Sequence, residues 1–221
     1  MKRPIIIFGA GEIAELAHYY FTHDSPHDVV AFTVDRAFLS ADRLAGLPVV
    51  PFDALAQDYP PDACAAFVAL SYSQLNEVRR QKYLAVKAMG YELVSYVSLK
   101  ASLFNDGRIG ENCFILEDNT IQPFASIGNN VTLWSGNHIG HHARIADHCF
   151  LASQIVVSGR VEIGEACFVG VNATLRDHIR IGEKCVIGAG ALILGDAAPG
   201  GVYLGSATQR SKVPSSRLRR I

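Results

Sequence analysis

Four of the eight histidines fall within eleven residues, as His138, His141, His142 and His148. The densest part is Gly136-Asn137-His138-Ile139-Gly140-His141-His142. Two chemistries suit such a cluster. A neutral imidazole, whose ordinary pKa lies near physiological pH, takes a proton from an attacking amine or hydroxyl. Imidazoles also bind zinc when three of them converge. Which applies depends on how the surrounding chain places them.

That chain repeats every six residues. From Ile109 to Ile193 every sixth position is aliphatic, and Val97 and Leu103 extend the register backwards. The next position is often glycine (Gly110, Gly128, Gly140, Gly164, Gly170, Gly182, Gly188), and the fifth is small or slim (Cys113, Ala125, Ala143, Cys149, Ala173, Cys185, Ala191). A period of six fits neither helix nor simple strand, but it fits a parallel β-helix of short strands and tight turns. Three such faces make one coil, so residues eighteen apart stack one strand spacing apart, about 4.8 Å. Ile109, Ile127, Ile145, Ile163 and Ile181 then form one inward column, and Cys113, Val131, Cys149, Cys167 and Cys185 another. Four of the five cysteines are thereby core fillers. His141, His142 and His148 take third and fourth positions, which point outward, and His138 a sixth position at a corner. A solenoid core does not need imidazole at these places.

This pattern resembles the hexapeptide-repeat acyltransferases, which implies a left-handed β-helix. The zinc-dependent carbonic anhydrases sharing that solenoid carry histidines two coils apart, as His142 and His178 are. Their further H-x4-H pairing is absent, so no third ligand is evident and no metal is expected.

Ahead of the repeats, residues 4–8 read as a buried strand followed by Gly9-Ala10-Gly11-Glu12-Ile13-Ala14 and a helical pattern through Ala17, His18 and Tyr20. Val29 to Val34 is a second strand ending at Asp35-Arg36. Gly46 to Pro51 is a turn and short strand, Ala65 to Leu70 a further strand, and about Ser73 to Met89 a helix. Val94 to Val97 leads into the solenoid. The first unit resembles a Rossmann-like domain, whose glycines let the backbone approach a phosphate at a helix N-terminus. At about 95 residues it is too short for two mononucleotide-binding halves. The expected fold is therefore an α/β Rossmann-like domain (1–97), an all-β left-handed parallel β-helix (98–198) and a tail (199–221). The tail carries Arg210, Lys212, Arg217, Arg219 and Arg220 without an intervening acid, which suits either a solvated tail or phosphate contacts.

Composition narrows the class. Hydrophobic content of 49%, charge of 19% and 221 residues describe one large or two small globular domains. The net charge of -1 gives no reason to expect nucleic acid. Ile5-Ile6-Ile7-Phe8 is too short an apolar run for a signal peptide or membrane span. Without a disulfide framework, a reducing, cytoplasmic setting is expected.

A Rossmann-like domain leading into this solenoid resembles the bacterial nucleotide-sugar acetyltransferases, which include the bacillosamine and perosamine N-acetyltransferases and the related sialic acid O-acetyltransferases. The resemblance spans essentially the whole chain. It implies that His141 is the base for a sugar amine attacking acetyl-CoA, with His138 its main competitor and His142 beside it. The nucleotide would lie on Gly9, Gly11, Glu12, Asp35, Arg36 and Asn76. Asn76 and Arg79 match an Asn-x-x-Arg element of such domains, for which capping and solvation of the helix is the plainer alternative. Acetyl-CoA would run between subunits of a homotrimer, along Gly159, Gly170, Gly188, Ala189 and Gly190, with Arg210 at its phosphates. Backbone amides there would polarise the thioester carbonyl, although turn geometry alone also explains the glycines.

Two departures stand out. Relatives often carry an acid after the catalytic histidine, where this chain has His142; Asp177 shares the His141 column two coils away, about 10 Å. A second histidine of some relatives aligns with Phe150. Trp134 and the column Phe114, Phe150 and Phe168 point outward, and subunit packing is the expected cover. The reading is an N-acetyltransferase for a nucleotide-linked deoxy amino sugar of a bacterial surface glycan such as O-antigen lipopolysaccharide. O-acetylation, a non-catalytic nucleotide-sugar binding module and a metal hydratase stand as alternatives.

Overall fold

The structure, a computed structural model, describes residues 3–217. Arg219 and Arg220 of the basic tail lie outside the described residues. The N-terminal domain opens with β1 (Arg3–Phe8), α1 (Glu12–His23) and β2 (His27–Val34). A hairpin, β3 (Arg43–Leu44) and β4 (Leu47–Pro51), is followed by one turn of helix, α2 (Leu55–Asp58). Then come β5 (Ala65–Val68) and α3 (Glu77–Ala88). The sheet order is β3-β4-β2-β1-β5, parallel except for the hairpin. β1 lies between β2 and β5 with Ile5, Ile6 and Ile7 fully buried, as a strand covered on both faces requires. α1 packs Ala14, Ala17 and Phe21 onto the sheet at helical spacing.

The helix expected from Ser73 begins four residues later, at Glu77. Gln74, Leu75 and Asn76 all have left-handed backbones (φ 51°, 53° and 67°), which a right-handed helix cannot include. α3 buries Arg79, Tyr83 and Val86, so its inner face carries a guanidinium.

From Tyr96 onward the chain winds into a three-sided parallel β-helix of two-residue strands, in sheets of seven, six and four strands. Pairing is in register at eighteen residues, as in Thr132↔Phe150, His138↔Val156 and Ile145↔Ile163. The seven-stranded sheet includes Tyr96–Val97 and Val202–Tyr203, one rung to either side of 98–198. The isoleucine column and the cysteines 113, 149, 167 and 185 are inside as expected, and all five cysteines are free. The fourth residue of every hexad from Asp106 to Gly190 has a positive φ, so each corner turns through one left-handed residue. Asparagine, aspartate and histidine are enriched in that conformation. That backbone requirement accounts for His142, His148 and His178 without invoking function. It does not account for His141 or His138.

The outward aromatic column is covered by the N-terminal domain of the same chain, which corrects the expectation of subunit packing. Phe114 packs on Phe67, Tyr20 and Tyr96, while Phe150 and Phe168 meet Tyr72 at 4.9 and 4.7 Å between ring centres. An outward position on a solenoid shows that a side chain will be covered, but not by what. Asn76 and Arg79 fasten the same junction. The Asn76 amide donates to the carbonyls of Ala166 and Cys167 at 3.3 and 3.2 Å. Arg79 donates to Thr132 Oγ1, to Asn76 Oδ1 (3.0 Å) and to the carbonyls of His148 and Cys149 (3.0 and 3.1 Å), over the Phe150 ring. Burial pulls this guanidinium's pKa down to about 10. A fully buried Asn76 offers no surface to a nucleotide, and although it stands at the N-cap position of α3 its side chain makes no cap bond, so its amide serves the junction in place of either expected role.

Candidate functional site

Three features gather the chemistry-bearing residues. The first is a pocket of about 360 Å³ at the C-terminal ends of β1 and β2, lined by Phe8, Gly9, Gly11, Asp35, Phe38 and Lys82 among others. Gly9 has φ +131°, and a β-carbon there would lie 2.6 Å from the Ala69 carbonyl oxygen, so the chain itself demands glycine. Gly11 differs. A β-carbon there meets nothing within 4 Å, so packing does not select it, whereas close approach of a ligand to the N-terminus of α1 would. Asp35 lines the pocket but is already paired, with Lys82 Nζ at 2.7 Å. Lys82 is missed by the sequence reading. It lies three residues after Arg79 on a helix whose facing could not be fixed while its start was misplaced. Arg36 turns elsewhere, forming two 3.0 Å bonds with Asp53, and is not among the pocket's lining residues. Glu12 borders the neighbouring trough with Gly11, Leu70, Tyr72 and Trp134.

That trough leads to the second feature, an apolar cleft of about 390 Å³ between the domains, walled by Ile13, Tyr72, Trp134, Phe150, Phe168 and Val171. Gly170 and Ala189 line it. The backbone amides of Gly170, Gly188 and Gly190 are already bonded, however, to the carbonyls of Ile187, Tyr203 and Val171 at 2.8, 2.7 and 2.8 Å. These three are rungs of the ladder and cannot polarise a thioester, which corrects the expectation for them but not for Gly159 or Ala189. Gly190 serves the left-handed corner (φ 67°). Arg210 is exposed in the segment after the last strand.

The third feature is the corner of His141. The Gln122 side chain accepts from the His141 backbone N–H at 2.9 Å. His141 Nδ1 lies 3.1 Å from His142 Nδ1, so one ring donates and the other accepts. His142 is held in turn against the Phe124 ring at 4.7 Å. Its pKa is lowered by desolvation, then by Arg160 and His141, which favours the neutral acceptor form. The end of His141 opposite this bond rests over Gly159: a β-carbon on Gly159 would lie 2.7 Å from both Cε1 and Nε2. Gly159 therefore forms the floor beneath the imidazole. Its own N–H donates to no carbonyl of the ladder among the described residues.

His138 sits on the adjoining strand, paired in register with Thr120 and Val156. His148 is not a surface residue. It is buried under α3, 3.0 Å from Asn130 and edge-on to Tyr83, and burial lowers its pKa. His178 pairs with Asp177 at 2.8 Å. No group of three metal-ligating side chains occurs among the described residues. Nor is any helix among them long and apolar enough to cross a membrane. The cleft and the His141 corner are not joined within one chain, for no lining residue of the cleft comes from that corner.

The family of bacterial transferase hexapeptides (six repeats) matches residues 106–141 and 160–195. No curated protein sequence matches the chain. Among solved structures, a mutant of perosamine N-acetyltransferase from Caulobacter crescentus, in complex with CoA and GDP-perosamine, is 22% identical over 91% of this chain and 93% of that one, with a TM-score of 0.82. The acetyltransferase domain of PglB from Neisseria gonorrhoeae, in complex with acetyl coenzyme A, is 22% identical over 93% and 97%, with a TM-score of 0.82. WeeI from Acinetobacter baumannii is 20% identical over 92% and 97%, with a TM-score of 0.77. Across nearly its whole length the chain has the fold of these proteins, a Rossmann-like domain seated on a left-handed β-helix of hexapeptide repeats.

Proposed function

We propose that this protein transfers the acetyl group of acetyl-CoA to the amine of a nucleotide-linked deoxy amino sugar. The observation that carries the reading is the seating of His141. Its Nδ1 is fixed by His142, and its other face rests on the bare backbone of Gly159, at an open corner. With the Nδ1 proton shared toward a neutral His142, Nε2 is left as the base. The amine attacks the thioester carbon as Nε2 takes its proton, and the imidazolium returns that proton to the departing thiolate. In this reading the N–H of Gly159, which has no ladder acceptor among the described residues, donates to the developing oxyanion, a role that Gly170, Gly188 and Gly190 cannot fill. The pocket at Gly9, Gly11, Asp35 and Lys82 takes the nucleotide, and the trough past Glu12 carries the sugar toward the interdomain cleft. Perosamine N-acetyltransferase, which shares this fold, is solved with CoA and GDP-perosamine.

Because the cleft and the His141 corner are apart in one chain, a homotrimer in which a neighbouring copy supplies His141 completes the site. The reading places the protein in the cytoplasm, in the biosynthesis of a surface glycan such as O-antigen lipopolysaccharide, without nucleic acid or membrane as partner. The test is thiol release from acetyl-CoA with UDP-, dTDP- and GDP-linked 3-amino and 4-amino sugars. One amino sugar should turn over, and activity should collapse in His141→Ala with CoA binding intact. Full activity in His141→Ala would overturn the reading, and collapse only in His138→Ala would move the base.

A further inference from the structure

Resting on the acetyl-transfer reading, we infer that Asp177 is a second acceptor for the substrate's reacting group, and that it makes the site select an amine over a hydroxyl. The backbone ladder runs straight through this corner. Arg160 N–H donates to the His141 carbonyl at 2.9 Å, and His178 N–H donates to the Gly159 carbonyl at 3.0 Å. His141, Gly159 and Asp177 are thus successive members of one outward column. The middle member has no side chain, and the His141 ring leans over it, with Cε1 and Nε2 both 2.7 Å from where a β-carbon would stand. Between that ring and the rung of Asp177 there remains about one strand spacing, roughly 4.8 Å.

The carboxylate is itself held in place. Asp177 Oδ2 accepts from His178 Nδ1 at 2.8 Å and the carboxylate also meets its own backbone N–H, which of its roughly four lone-pair sites still leaves acceptor capacity on Oδ1. The other charged and titratable groups around the slot are His142, Arg160 and Arg176. None of them places a carboxylate nearer to His141. The slot therefore has an acceptor at each end, Nε2 of His141 and Oδ1 of Asp177, over a bare backbone floor. A neutral amine has two N–H donors and can satisfy both while its lone pair remains free to attack. A hydroxyl has one donor, and leaves either the base or the carboxylate unpaired. In the reaction one amine proton passes to His141 Nε2 as the N–C bond forms and the C–S bond breaks. The second N–H stays on Asp177.

The experiment compares wild type with Asp177→Asn on the accepted nucleotide amino sugar and on its analogue bearing hydroxyl in place of amine. Acetyl-CoA binding and melting temperature serve as controls; Asp177 is exposed, and the variant keeps its shape. Loss of a charge-assisted bond should lower kcat/KM for the amine about 10- to 100-fold. The hydroxyl analogue should change by no more than about 3-fold, so that the preference narrows. An unchanged amine-to-hydroxyl ratio in Asp177→Asn overturns the role of Asp177 and leaves acetyl transfer standing. A wild-type enzyme that acetylates no amine overturns both.

Discussion

The imidazole of His141 occupies the space in which a side chain at Gly159 would stand, 2.7 Å from the position of its β-carbon. Two residues eighteen apart are thereby a single packing unit: one supplies the ring, the other supplies the space for it. Gly159→Ala should push the ring off its floor, because the contact is with the free end of a side chain that can move. A displacement near 1 Å costs about 100-fold in rate. The fold should survive. A kcat reduced by that factor with an unchanged melting temperature would confirm it.

The His141–His142 contact predicts a shift in pH dependence. His142→Glu replaces a neutral acceptor with a negative one beside the base, which favours the imidazolium. Since the base must be neutral to act, the acidic limb of the kcat/KM profile should move to higher pH, by about one unit for a charge in direct hydrogen-bond contact. Profiles of the two proteins measured side by side decide it.

Lys82 and Asp35 should act on binding and not on the transfer step. Lys82→Ala removes the cation that faces the pocket and frees Asp35, so the KM for the nucleotide sugar should rise about tenfold, with kcat at saturation nearly unchanged. A fall in kcat alone would contradict the placement of the nucleotide.

Arg79 should matter to stability. Arg79→Met leaves the carbonyls of His148 and Cys149 and the side chains of Asn76 and Thr132 without their donor in a buried junction, at a cost of about 3 kcal/mol. For a chain of this length that lowers the melting temperature by roughly 6–12 °C.

Burial lowers the pKa of His148 below its ordinary 6.5. The unfolded chain thus binds a proton that the folded one resists. Stability from this group is complete above pH 6.5 and declines as pH falls through and below it. His148→Asn continues the ladder of Asn112 and Asn130 and tolerates the left-handed backbone, without titrating. Between pH 7.5 and 5.5 its melting temperature should fall less than that of wild type.

The solenoid was legible because a hexad repeated fifteen times from Ile109 to Ile193 states its own geometry. The glycine turn after β1 was legible for the same local reason. What escaped depended on docking. The column of Phe114, Phe150 and Phe168 announced a covered surface, but the cover proved to be Tyr72, Tyr20 and Phe67 of the same chain. Asn76 and Arg79 were recognisable as a pair, yet their partners are main-chain carbonyls about 70 to 90 residues away, which no side-chain pattern records. Among the histidines, the left-handed residue at every corner separates those the backbone favours from His141, which it does not. That distinction was available from the register, had the turn conformation been read along with the aliphatic column.

Asn76 and Arg79 pin α3 to three consecutive rungs of the solenoid, and the strand ends that hold the nucleotide-sized pocket come with it. Under the proposed function, two domains fastened in this way act as a gauge. The span from the glycine turn to the cleft wall is set by the scaffold. A sugar tethered through one phosphate instead of two would present its amine short of the mark, however well the base suited it. On that reading, length is read by the junction before chemistry is read by the histidine.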